Sequence, residues 1–97
     1  MQSKLRVATV QFQHRASDKD YNLSRVEAFA HRASGAGAEL VLMPEMCIPG
    51  YWHVPKLDAP GLAGLAETVD GPSLSKVTAL AKSLGIAIGV GWLERGE

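Results

Sequence analysis

Cysteine is nearly absent: the chain of 97 residues holds one, Cys47. A single thiol excludes an internal disulfide framework and a zinc centre built from several thiolates. It fits a reducing compartment. There is no surplus of either charge, because ten Lys and Arg residues balance ten Asp and Glu residues. The basic residues form no run or stripe, so nucleic-acid binding has no electrostatic support. No long apolar segment occurs, which predicts neither a secretory leader nor a membrane span and makes the cytoplasm the expected location. What remains is an ordinary globular composition, 46% hydrophobic and 21% charged, in a length that fits one domain or a segment of one.

The pattern along the chain alternates between strand and helix. Strands are expected over residues 5–12, 39–43 and 86–93, where apolar residues such as Val7, Val10, Leu40, Val41, Ile86 and Ile88 run nearly without interruption. Such runs suit strands covered on both faces. Helices are expected over residues 19–35 and 73–84. In the first, Leu23, Val26, Ala30 and Ala33 recur at helical spacing and Phe29 widens the stripe. Asp18 and Asp20 read as caps, and Gly35 and Gly37 as the stop. In the second, Pro72 suits the first turn, Leu74, Val77, Ala81 and Leu84 form the expected buried face, and Gly85 ends it. Between Met46 and Gly64 the density of proline and glycine predicts a long loop, with a short helical turn from Leu62 to Val69. This order predicts an α/β layered fold. Three strands and two helices leave a sheet edge and a sheet face in need of cover.

Glu45 stands out among the candidate chemical groups. It follows Pro44 at the end of an expected strand, where open α/β sheets place their binding crevices. A carboxylate held there against an apolar wall has its proton affinity raised, as a general base needs. The plainer reading is a strand-end carboxylate that caps a loop or pairs with an arginine. Cys47 reads as a small, half-buried apolar residue, since nothing electropositive surrounds it in the sequence. His14, His31 and His53 show no metal-ligand spacing, and His31 is expected on the solvent side of its helix. Gly89-Val90-Gly91 fails as a dinucleotide fingerprint, because Glu94 takes the third glycine's place and no helix is expected after it.

Three blocks, taken in order, are more specific than any single residue. They are Val7-Ala8-Thr9-Val10-Gln11-Phe12 followed by Asn22-Leu23; Gly37 through Glu45 followed by Pro49-Gly50-Tyr51; and Gly71-Pro72 followed by Leu80-Ala81 and Gly85 through Gly91. From Leu5 onward the chain resembles the N-terminal part of the nitrilase superfamily, the carbon–nitrogen hydrolases. The resemblance implies a four-layer α-β-β-α sandwich, of which this chain is an incomplete N-terminal segment. It also implies a Glu–Lys–Cys triad that hydrolyses a non-peptide amide, a nitrile or an N-carbamoyl compound.

Carried over, the resemblance makes Glu45 the general base, while the catalytic lysine and cysteine belong to later strand ends that these residues do not reach. Lys56, Lys76, Lys82 and Cys47 match no catalytic motif of the family. Tyr51 and Trp52 lie in a loop that borders the family's substrate pocket, so substrate contact and ordinary aromatic packing are both open to them. No cofactor or metal is implied, since a base-activated thiol needs neither. Assembly into a homo-oligomer, or completion by the remaining portion of the domain, is expected, and these residues alone are expected to be inactive. The competing expectation is a truncated, non-catalytic α/β module that binds a partner chain or a small ligand.

Overall fold

The computed structural model describes residues 4–50 and 56–95. Their order is β1 (Val7–Thr9), α1 (Lys19–Gly35), β2 (Leu40–Leu42), α2 (Ala59–Leu65), α3 (Pro72–Leu84) and β3 (Ala87–Gly89). The strands form one parallel sheet in the order β1-β2-β3. Each regular strand is shorter than the apolar run that predicted it. The ladder continues by single bonds, as from the Val10 N–H to the Leu42 carbonyl and from the Met43 N–H to the Gly89 carbonyl. It ends at Pro44, which has no N–H to give.

Helix boundaries follow local chemistry. The Asp18 carboxylate accepts the Tyr21 N–H and starts α1. Gly37 takes φ +92 just beyond its end. In α2, Asp58 accepts the Gly61 N–H, so this helix begins three residues before the expected Leu62 and stops at Leu65. The helical turn expected to run on to Val69 is not formed at residues 66–68, because Glu67 instead bridges in parallel to Glu94, giving its N–H to the Leu93 carbonyl. α3 closes on Gly85, whose φ of +67 lies in the left-handed region.

Register decides which side chains meet the helices. Ala8, Val41 and Ile88 are paired neighbours, as are Val7, Leu40 and Ala87, and a strand alternates its faces. The first trio turns toward α1 and α3, where Val26, Ala30, Val41, Cys47 and Ile48 are buried. Each buried branched aliphatic chain contributes about 1.5–3 kcal/mol. The Phe12 and Phe29 rings stack 5.9 Å apart beside this core. In α3 the buried stripe is Ser73 and Val77 with Leu80 packed beside them, one position away from the expected Leu74 and Ala81. Ser73 accounts for that rotation, as its hydroxyl and N–H are engaged by Glu67.

The expectation of strands covered on both faces is not met among the described residues. Leu5, Val7 and Leu42 are 61%, 48% and 42% exposed. Successive crossovers of one hand, stepping in one direction across a sheet, put both helices on the same side. The result is one helical layer on one sheet layer, consistent with half of a four-layer sandwich, with the second sheet face open among the described residues.

Candidate active site

The residues after β2 form a closed turn over Glu45–Pro49. Met46 holds φ +51, a left-handed conformation that is costly for a side-chain-bearing residue. The Gly50 N–H closes the turn onto the Met46 carbonyl at 3.0 Å. From one side the turn rests on the segment after β3. The Ile48 N–H donates to the Gly91 carbonyl at 3.1 Å, and a Cβ on Gly91 would fall 2.0 Å from the Met46 nitrogen and 2.9 Å from the Glu45 carbonyl carbon. Only glycine permits so close an approach.

From the other side the turn is tied to the loop after β1. The Ser17 N–H donates to the Pro49 carbonyl at 3.0 Å. Asn22 is fully buried. Its Nδ2 donates to the Ile48 and Arg15 carbonyls, each at 2.8 Å, while its Oδ1 accepts the Arg15 N–H at 2.8 Å. Such an amide is tolerated in a core because it is paired; each partner left alone would cost about 1–3 kcal/mol.

On this platform Glu45 is exposed in the chain by itself. That exposure differs from the expectation of a carboxylate held against an apolar wall. One groove of about 660 Å³ runs between α1 and α3 and is lined by Leu23, Glu27, His31, Lys76, Val77 and Leu80. A second lies between β1 and α1 along Ala8, Val10, Phe29 and Ala33. Glu45 lines neither. His31 is exposed, as expected, and no group of three or more His, Cys, Asp or Glu able to hold a metal occurs among the described residues. Tyr51, Trp52 and His53 lie outside the described residues.

Cys47 is fully buried, deeper than expected. Burial pushes its thiol up, opposed by a backbone hydrogen bond to Gly91. A nucleophile needs the opposite setting, so Cys47 packs with Val26, Ile48 and Val77 as an apolar side chain.

A second carboxylate, passed over in the sequence, is the more constrained one. Glu67 is 11% exposed at its side chain and forms an ion pair with Lys19 at 2.7 Å. It also accepts the Ser73 N–H at 2.8 Å, capping the first turn of α3 from outside the helix. The Lys19 ammonium donates in addition to the Leu65 carbonyl at 2.6 Å. Burial pushes the Glu67 carboxyl up, yet the bonds from Lys19 and Ser73 and the Lys19 charge outweigh it. The group therefore lies below its ordinary value of 4.5. A lowered folded-state value stabilises the fold above 4.5, and that contribution is lost as pH falls through the folded value. Glu67→Gln is expected to be less stable than the parent near neutrality, with the gap closing in acid. Urea midpoints from about pH 7 to about pH 3 check this, and two parallel curves would refute it.

Comparison with known proteins places this arrangement. The family model described as carbon–nitrogen hydrolase matches residues 6–97. A Pseudomonas protegens protein called "Hydrolase in pqqF 5'region" is 36% identical over 91 residues, covering 94% of this chain and 30% of that protein. An aliphatic nitrilase from Rhodococcus rhodochrous is 33% identical over 100 residues, covering 93% of this chain and 27% of the nitrilase. Among solved structures, an amidase from Nesterenkonia sp. superposes with a TM-score of 0.64 at 29% identity, over 87% of this chain and 30% of the amidase. A double mutant of a Nesterenkonia amidase, solved in complex with acrylamide, matches with a TM-score of 0.63 at 28% identity. The chain thus spans roughly three-tenths of the length of these relatives.

Proposed function

The chain belongs to the carbon–nitrogen hydrolase family, and we propose that it supplies Glu45 as the general base of a Glu–Lys–Cys hydrolase acting on a small non-peptide amide, nitrile or N-carbamoyl compound. The observation that carries this reading is the family match across residues 6–97, with Glu45 at the end of β2 where an α/β sheet presents its chemistry. The similarity to an aliphatic nitrilase and to an amidase solved with acrylamide favours a short aliphatic substrate.

In this mechanism the Glu45 carboxylate takes the proton of a cysteine thiol supplied from beyond these residues, since a thiol with its ordinary pKa of about 8.5 is mostly protonated at neutrality. The thiolate adds to the carbonyl or nitrile carbon. A lysine, also from beyond these residues, stabilises the developing negative charge. From an amide or N-carbamoyl compound ammonia or an amine then leaves, taking the proton that Glu45 holds. A nitrile gives a thioimidate instead, which first adds one water across its C=N bond and then loses ammonia. Water then cleaves the thioester to release the acid. By itself the chain is inactive in this proposal, because its one thiol, Cys47, is buried and the proposed lysine and nucleophile come from beyond these residues.

The test is ammonia release by the complete polypeptide from short aliphatic amides, the matching nitriles and N-carbamoyl compounds, before and after alkylation with iodoacetamide. Turnover that alkylation abolishes is expected. A folded protein that hydrolyses none of the three classes is a non-catalytic module, and turnover untouched by alkylation removes the thiol mechanism.

A further inference from the structure

We infer that Asn22 is a positioning residue for the Glu45 carboxylate, acting through the turn that carries it; the inference rests on the reading of Glu45 as general base. Glu45 is exposed in this chain, so the backbone of its turn, rather than packing around its side chain, sets its direction. That turn contains a residue in a disfavoured conformation, Met46 at φ +51, which persists only where the surroundings hold it.

The holding is two-sided. On the β3 side it is backbone on backbone, through Gly91. On the β1 side it runs through the Asn22 side chain, by two routes. Directly, Nδ2 binds the Ile48 carbonyl inside the turn. Indirectly, the same amide binds both the N–H and the carbonyl of Arg15. This fixes the loop whose Ser17 N–H binds the Pro49 carbonyl and whose Arg15 and Ala16 backbone lies against Gly50.

A leucine of similar size would fill the same space and suit α1 better, since Asn is a poor helix former. It would leave the Ile48 carbonyl and the Arg15 N–H and carbonyl without this partner. What it would not do is join the two strand-end loops. Those loops lie at the end of the sheet where catalytic groups gather.

The experiment uses the complete hydrolase carrying Asn22→Ser, Asn22→Ala or Glu45→Gln, with rates normalised to titrated active sites. Serine leaves room for a water to take up the freed carbonyls and keeps the fold. In both Asn22 variants kcat is expected to drop roughly 10- to 100-fold, the scale of an ångström-level misplacement, with KM little changed and the acid limb of the kcat/KM profile displaced. If the melting temperature falls while kcat per site, KM and the acid limb stay at parent values, Asn22 is structural only. Failure of both Asn22 variants to fold would also count against a positioning role. Full turnover by Glu45→Gln removes the general-base reading itself, whatever the Asn22 variants do.

Discussion

Glu45→Gln is expected to eliminate turnover in the complete hydrolase while leaving its stability intact. The amide keeps the size and reach of the carboxylate but cannot accept a thiol proton. Loss of general-base assistance alone is worth about 10²–10⁴-fold in rate, and here it also removes the group that generates the nucleophile. Stability should stay within about 0.5 kcal/mol of the parent, because among the described residues the Glu45 side chain is exposed and the amide keeps its size. Glu67→Gln is the paired control, with the opposite outcome. It loses the Lys19 ion pair and weakens the cap on α3, so it should unfold more readily while turning over normally per folded molecule. Rates from steady-state assays and midpoints from urea unfolding separate the two carboxylates. A Glu45→Gln enzyme working within a few-fold of the parent would overturn the assignment.

The contrast between these two glutamates shows what the sequence could reveal. The position of Glu45 just beyond a strand end was legible because a proline ends an apolar run and the carboxylate follows, while the role proposed for it rests on the three-block resemblance rather than on those neighbours. The limits of α1 and the C-terminus of α3 were legible because Asp18, Gly37 and Gly85 act on backbone within a few residues of themselves. Glu67 was not, since its ion-pair partner Lys19 lies 48 residues away. Asn22 reads as a surface residue by type. Only its place on the stripe with Val26, Ala30 and Ala33 hinted at burial, and its partners are backbone atoms, whose positions no side-chain pattern encodes. The element count left one sheet face in need of cover, but the apolar runs themselves did not show which strands expose it. A run such as Val7–Val10 looks alike whether its second face is covered within these residues or by other polypeptide.

Gly91→Ala is expected to be among the most damaging single-methyl additions to this chain. The added carbon would lie 2.0 Å from the Met46 nitrogen and 2.7 Å from its Cα. These are backbone atoms of a turn already anchored at Ile48 and Pro49, so no side chain can swing away to make room. The chain must lose the Ile48-to-Gly91 bond or lift the Glu45–Met46 peptide off the end of β3. The cost should reach roughly 3 kcal/mol, the upper end for overpacking. Gly89→Ala provides the internal standard two residues earlier. There the nearest atom is the Leu42 Cδ2 at 2.9 Å, the tip of a flexible and 42% exposed side chain. It can rotate aside, so the loss should stay below about 1 kcal/mol. Because the same peptide carries Glu45, the folded fraction of Gly91→Ala should also turn over at least about 10²-fold more slowly, and that of Gly89→Ala close to normally. Equal destabilisation by the two alanines would mean that the turn yields freely, and a yielding turn does not aim a base.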